Sequence, residues 1–303
     1  MSGLTQWLHA RLDWAGLLDL STRTDAWRAG ATHLVTWPAT EFDPNETDCF
    51  TIGDQTWIWQ PEVGAVRFSF EEPRLEAYRW PDADEDYFRQ VVTRSWLPAI
   101  YPLWGRQVLH ASALVCPVSG DALAFIGSTH AGKSTTAYGV ARRGSWRRLS
   151  DDTIGFSILN GTPHLHPLPN ESRLRPASAD YYGVQPLTRE PISWPAGSVC
   201  LKGVYLLEGD ESQLEAAAFT PLRAADALPA LLQQAFTLSF ELPKYNQQLM
   251  KDYLALVSAI PVFRLRYRRR FDAAEELFAS IEAHAASVAG VSCPAGASTR
   301  IDE

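Results

Sequence analysis

Residues 127–134 spell G-x-x-x-x-G-K-S: Gly127, Ser128, Thr129, His130, Ala131, Gly132, Lys133 and Ser134, with Thr135 directly after. The apolar run ALAFIG leads into this stretch and the helix-patterned run KSTTAYGVARRG leads out of it. A strand that ends in such a loop and resumes as a helix can aim consecutive backbone N–H groups at one point, and the helix start adds its partial positive charge behind them. The anion that suits the residues that follow is a nucleotide phosphate chain. Lys133 would reach the β- and γ-phosphates, and the Ser134 hydroxyl would ligate a Mg²⁺ bridging the same oxygens. Asp151 and Asp152 end the strand-like WRRLSDD, which is expected to run beside the strand feeding the loop. Neighbouring residues on a strand face opposite ways, so one carboxylate can hold the metal while the other takes a proton from an incoming hydroxyl. His110, in LHASA, is expected on the strand paired with the one feeding the loop. From there it could donate to a phosphate oxygen or move a proton near neutral pH.

A second charged pattern lies in FRLRYRRRF, where Phe263, Leu265 and Tyr267 alternate with Arg264, Arg266 and Arg268. Alternation on a strand puts the arginines on one face. That face is either solvated or a docking surface for an acidic peptide or a nucleotide phosphate, the latter with salt-dependent affinity.

The elements that must position these residues follow from periodicity and punctuation. VLHASALVC reads as one strand, PVSGD as a turn and ALAFIG as a second, buried strand. The helix after the loop should stop at Gly144, since glycine accepts the left-handed conformation of a helix end. WRRLSDD, TIGFSIL, PHLHPL and GVYLLEG read as further strands, with Asn160-Gly161 as a hairpin turn that needs positive φ. AADALPALLQQAFTLSF reads as an amphipathic helix interrupted at Pro229, VFRLRYRR as an alternating strand and DAAEELFASIEAHAASV as a last helix with acids near its start. Upstream, residues 4–20 have helical spacing, and THLVTW, CFTIGDQTWIWQ and GAVRFSFE read as antiparallel strands and turns. The acidic PDADEDYF leads into a helix broken near Pro98. Nine of the eleven tryptophans precede Gly105. That shift in composition divides the chain into an α+β region over 1–104, a phosphate-loop region over 105–286 and a small, polar, disordered tail over 287–303. The tryptophans are expected to fill a core, with some lining an acceptor groove.

With 46% hydrophobic residues in 303, the chain can build a core. Its net charge of −8 argues against a nucleic-acid binder that works by neutralising phosphates over a broad surface. Cys49, Cys116, Cys200 and Cys293 show no paired spacing, so neither a zinc knuckle nor a disulfide framework is expected. Arg11 and Asp13 interrupt the apolar N-terminal stretch, and no other stretch is long and apolar enough to span a bilayer. A cytoplasmic protein without membrane contact is the expectation.

The combination LHASALV, ALAFIGSTHAGKSTTAYGVARRG and LSDD resembles the HPr kinase/phosphorylase family and its broader relatives, whose phosphate-loop core is shared with the PEP carboxykinases. The resemblance follows the order of elements over residues 108–284 and is strong over 110–152. It implies an α/β fold: an HPr-kinase-like core of mixed β-sheet with flanking helices, preceded by a smaller α+β domain. It further implies that His110 lies near the transferred phosphate, that the loop residues 127–135 bind ATP and that Ser134 binds Mg²⁺. Asp151 would be the base and Asp152 the metal-side carboxylate, or the two exchanged. NESRLRP offers Glu171 on the metal side, with Arg173 or Arg175 against the phosphates as charge stabiliser. It lacks the glycine that follows this segment in true HPr kinases. His130 also departs from the pattern by standing where relatives have glycine. Either its side chain points outward, or the loop grips phosphate differently.

The activity this implies is an ATP-dependent kinase, a phosphotransferase with an alcohol-group acceptor, most simply a serine of a peptide or protein. Two alternatives stay open: a kinase of small hydroxyl metabolites, and a nucleotide-binding regulatory protein without turnover. A homo-oligomer is implied by family habit alone.

Overall fold

The computed structural model describes residues 32–36, 48–52, 55–60, 62–70, 75–80, 82–166, 168, 171–172, 174–185, 190–191, 199–212, 215–237 and 242–289. The helix expected over residues 4–20 lies outside them, as do residues 290–303 of the expected tail; residues 287–289, expected in that tail, continue the last helix to Ala289. The chain divides into two compact units, residues 1–106 with 236–249 and residues 107–235 with 250–303.

In the first unit five strands form an antiparallel meander in sequence order: β1 (Thr32–Thr36), β2 (Asp48–Ile52), β3 (Gln55–Gln60), β4 (Gly64–Phe68) and β5 (Leu75–Arg79). Period-two alternation sorts its side chains. Ile58, Val66, Phe68 and Ala77 are buried on one face. On the other, Trp57 stacks on Tyr78 at 5.7 Å and carries the Arg67 guanidinium at 5.6 Å. Asp84 caps helix α1 (Glu85–Val91) by accepting the Tyr87 N–H at 2.7 Å. The helical path continues through a wide turn over Val92–Trp96, helix α2 (Leu97–Ile100) and a tight turn over Tyr101–Trp104, stopping at Gly105 with φ 73°. The widening answers Pro98, which has no N–H to give: the Leu97 N–H reaches back five residues to the Val92 carbonyl.

The second unit is mixed α/β. A curled mixed sheet runs in the order β6-β10-β11-β14-β8-β7-β9, with β16 beside β14 and β15 beside β16. Its strands are β6 (Gln107–His110), β7 (Ser112–Val115), β8 (Asp121–Ile126), β9 (Arg147–Ser150), β10 (Thr153–Leu159), β11 (Thr162–His166), β14 (Val199–Asp210), β15 (Ala217–Pro221) and β16 (Val262–Arg268); β12 (Glu171–Ser172) and β13 (Glu190–Pro191) pair separately. β8 lies between antiparallel β7 and parallel β14. An interior strand covered on both faces favours an unbroken apolar run, and every residue from Ala122 to Ile126 is buried. The hairpin from β10 to β11 turns at Asn160 (φ 52°) and Gly161 (φ 77°), as an Asn-Gly turn requires.

Five helices accompany these strands: α3 (Lys133–Arg142), α4 (Pro176–Tyr182), α5 (Ala224–Leu232), α6 (Pro243–Ala259), of which residues 250–259 belong to this unit, and α7 (Ala274–Ala289). Gly144, at φ 94°, lets the chain leave α3. The apolar face of β16, Phe263, Leu265 and Tyr267, joins α3, α7 and β14 in one core with Val140, Phe125, Tyr205, Leu207 and Phe278. The opposite face turns Arg264 and Arg266 toward Glu208 on β14, at 2.9 and 3.5 Å.

Four further expectations change. VLHASALVC is two strands, because β6 pairs with β10 whereas β7 pairs with β8 and β9. His110 therefore ends β6 and is not on the strand paired with β8. β9 lies beside β7, one strand removed from β8. The helix at Ala224 contains Pro229 and ends at Leu232, and the 17-residue α6 is a helix that the pattern reading passed over.

Candidate functional site

The loop between β8 and α3 needs backbone conformations that few residues adopt. Gly127 has φ 148° and Gly132 has φ 82°; a Cβ on the first would lie 2.9 Å from the Ala131 methyl, and on the second 2.7 Å from the Tyr267 hydroxyl. That hydroxyl donates to the Ala131 carbonyl at 2.8 Å, so β16 braces the loop from below. The Ala131 N–H donates to the Ser128 carbonyl at 3.0 Å, which closes the loop as a tight turn. Ser128, Thr129 and His130 are exposed, whereas Gly127 and Ala131 are buried and Gly132, Ser134 and Thr135 are half-buried.

Lys133 opens α3 and is 8% exposed. Its ammonium donates to the Gly127 carbonyl at 2.8 Å and to the Ser128 carbonyl at 3.4 Å. Burial pushes its pKa below the ordinary lysine value; the carboxylates of Asp152 and Asp151 act in the opposite direction, and the Arg175 guanidinium pushes it further down. Three charged groups from distant parts of the chain are therefore within electrostatic reach of this one ammonium.

A crossing of two chain segments delivers the carboxylates. One runs β6, Ala111, β7; the other runs β9, Asp151, Asp152, β10. They pair at Ala113 with Ser150 and at His110 with Thr153, and between these points each changes partner. Asp152 makes the bend at φ 79°, and its carbonyl accepts the Ala111 N–H at 3.0 Å. Its half-exposed carboxylate takes His110 Nε2 at 3.0 Å. Asp151 is 5% exposed, and its Oδ1 accepts the hydroxyl of fully buried Ser112 at 2.9 Å. Ser112 sits opposite Phe125, two residues before Gly127, so Asp151 lies at the loop end of the sheet.

Helix α4 supplies the remaining wall. Ser178 Oγ meets Thr135 Oγ1 at 2.8 Å, and the Tyr182 hydroxyl donates to the Thr135 carbonyl at 2.8 Å. Arg175 precedes α4 and is exposed, and its Nη1 donates to His130 Nε2 at 3.2 Å. Arg173 lies outside the described residues, and Glu171 is described only as backbone in β12. Thus Lys133, Asp151, Asp152, His110 and Arg175 come together around the loop. Ser112, Tyr267, Ser178 and Tyr182 are additions that sequence reasoning missed. Ser112 could have been found from LHASA, where a hydroxyl stands two residues after His110 on an otherwise apolar strand.

Among the described residues no group of three or more His, Cys, Asp or Glu is arranged to hold a metal ion. The Asp152 carboxylate and the Ser134 hydroxyl are oxygen donors of the kind that Mg²⁺ takes, and Mg²⁺ held with a nucleotide needs only one or two protein ligands beside phosphate oxygens and water.

No helix among the described residues is long and apolar enough to cross a membrane. No known family profile matches the sequence, and no curated protein matches it. Among solved structures the chain is similar to the Hpr(Ser) kinase/phosphatase from Coxiella burnetii, at 12% identity and a TM-score of 0.34, over 61% of this chain and 99% of that one. At that identity and score the likeness says nothing of what this chain binds or does.

Proposed function

We propose that the protein is an ATP-dependent kinase that transfers the γ-phosphoryl group to a hydroxyl, a serine side chain of a peptide or protein. The observation that carries the reading is the convergence of two carboxylates in different surroundings on the buried ammonium of a strand–loop–helix turn. A lysine held there, with helix α3 behind it, receives a phosphate chain. A Mg²⁺ bound with the nucleotide would supply charge neutralisation to the phosphate chain. Asp152, the more accessible carboxylate, is suited to the metal side, with Ser134. Asp151 is suited to accept the acceptor's proton: the hydroxyl oxygen bonds to the γ-phosphorus, its proton passes to the Asp151 carboxylate, and the bond from phosphorus to the bridging oxygen breaks with ADP as leaving group. His110 orients Asp152 and stands beside the phosphates. Arg175 offsets the charge of the transferred group.

The test is transfer from γ-labelled ATP to serine-containing peptides and, in parallel, to free serine. Lys133→Ala should abolish transfer, and Asp151→Asn should abolish it while leaving ATP uptake largely intact. Full transfer by Asp151→Asn would remove the base assignment. Label appearing only on free serine would make the protein a small-metabolite kinase, and tight ATP uptake without transfer to any acceptor or to water would make it a regulatory binder.

A further inference from the structure

His130 occupies a left-handed backbone position, φ 70°, in a loop whose two other positive-φ positions, Gly127 and Gly132, are held by glycine. A residue with a Cβ bears backbone strain at such a point that glycine avoids, and histidine is among the side chains that adopt it more often. Its side chain does not turn away into solvent alone: Nε2 lies 3.2 Å from Arg175 Nη1. A guanidinium has donors only, so the imidazole nitrogen must be the acceptor. The other end of this contact is firmly held. The Arg175 carbonyl accepts the Ala179 N–H at 2.8 Å, Leu174 beside it is buried, and α4 is tied to α3 through Ser178 and Tyr182. The Arg175 backbone is therefore fixed, and the imidazole fixes the direction of its long side chain across the loop.

We propose that His130 is a positioning residue that holds the Arg175 guanidinium over the phosphate loop, ready to make paired hydrogen bonds to phosphate oxygens. The inference rests on the phosphate-loop reading above and adds to it a role for the residue that departs from the glycine of the pattern. An arginine already oriented before the ligand arrives loses less side-chain freedom on binding, so the advantage is one of affinity for the anion.

A double-mutant cycle on the affinity for magnesium pyrophosphate, measured by calorimetry on the full chain and repeated with ATP, tests this without an identified acceptor. Arg175→Ala weakens binding. His130→Gly weakens it about threefold to tenfold in the native background and less than about twofold in the Arg175→Ala background, because the histidine acts only through the arginine. His130→Gln, which keeps an acceptor at similar reach, stays within about twofold of the native protein. His130→Gly melts no lower than the native protein, since glycine adopts the left-handed conformation freely. Equal losses from His130→Gly in the two backgrounds, or no loss in either, overturn the positioning role while leaving the phosphate site intact. A native protein that takes up neither pyrophosphate nor ATP overturns the phosphate-loop reading itself, and the positioning role with it.

Discussion

Gly139 is the point at which the helix behind the loop, the last helix and α4 meet, and replacing it with alanine tests whether their packing holds the site. A Cβ there would lie 2.3 Å from the Phe278 ring and 2.5 Å from the Tyr182 hydroxyl. Ordinary carbon contacts are about 3.5–4 Å, so both rings must move by more than about 1 Å. Phe278 is 1% exposed, within the core that α3, α7, β14 and β16 share. Overpacking of this kind costs about 1–3 kcal/mol. Turning Tyr182 away also loses its hydrogen bond to the Thr135 carbonyl, about 1 kcal/mol. Against this, alanine gains about 1 kcal/mol over glycine inside a helix. The balance is a loss of about 2 kcal/mol, a melting temperature lower by about 4–8 °C. Gly144→Ala is the control: a Cβ there meets nothing within 4 Å, but φ is 94°, so the cost is backbone strain alone, about 1 kcal/mol. Thermal melts of both variants should rank Gly139→Ala as the more damaging, and only Gly139→Ala should weaken pyrophosphate uptake, through the displaced Tyr182. Phe278→Leu, made in the Gly139→Ala background, should cost less than it does alone. A Gly139→Ala protein that melts at or above the native temperature would refute the close packing of α3, α4 and α7.

Three further outcomes are expected. Gly132→Ala should lose pyrophosphate and ATP uptake, because its Cβ would displace the Tyr267 hydroxyl that supports the loop; calorimetry on a variant still folded by circular dichroism checks this. Burial raises the Tyr205 and Tyr253 hydroxyls above 10.0 in the folded chain. The stability this gives is whole below 10.0 and is lost as pH rises through the raised values, so the denaturation midpoint should fall from about pH 10 upward, and less steeply in Tyr253→Phe. Burial lowers the His284 pKa below 6.5, and its Nδ1 meets the Tyr205 hydroxyl at 2.9 Å. The unfolded chain then binds the proton first as pH falls through 6.5, so stability declines on that side. Denaturant melts should show the decline to be shallower in His284→Gln.

The parts of this structure that the residues disclose are those governed by local chemistry. Asn160-Gly161 turns as written, Gly144 releases α3, and the alternation in FRLRYRRRF separates the packed face of β16 from its arginines. Gly127 and Gly132 fall between β8 and α3, and Lys133 opens α3, as their order requires. What escapes is set by partners far away in the chain. Ala111 and Ser112 are as buried as Leu109 and Ala113, so nothing in the apolar pattern of LHASALV marks the change from pairing with β10 to pairing with β8 and β9. Period-two patterning says which face a residue takes and not which strand lies beside it, and β9 was expected one place nearer β8 for that reason. Helix α6 hides behind mixed polarity: Asp252 is buried and bonded to Gln107 at 2.9 Å, while Met250 and Leu254 are exposed, which inverts the usual amphipathic signal.

The candidate site is held from outside itself. Its loop is braced by a tyrosine on each side, Tyr267 under the Ala131 carbonyl and Tyr182 on the Thr135 carbonyl, and its carboxylates are set by two strands that cross and exchange partners. Each brace comes from an element of the second unit that binds nothing in the proposed reaction. A site whose donors are fixed by packing before any ligand arrives undergoes little reorganisation on binding, which favours electrostatic stabilisation of a charged group. The weak points of such a design are its contacts with the loop backbone. For that reason changes at Gly132, Gly139 or Tyr267 should impair phosphate uptake through geometry alone, with all of Lys133, Asp151 and Asp152 still in place.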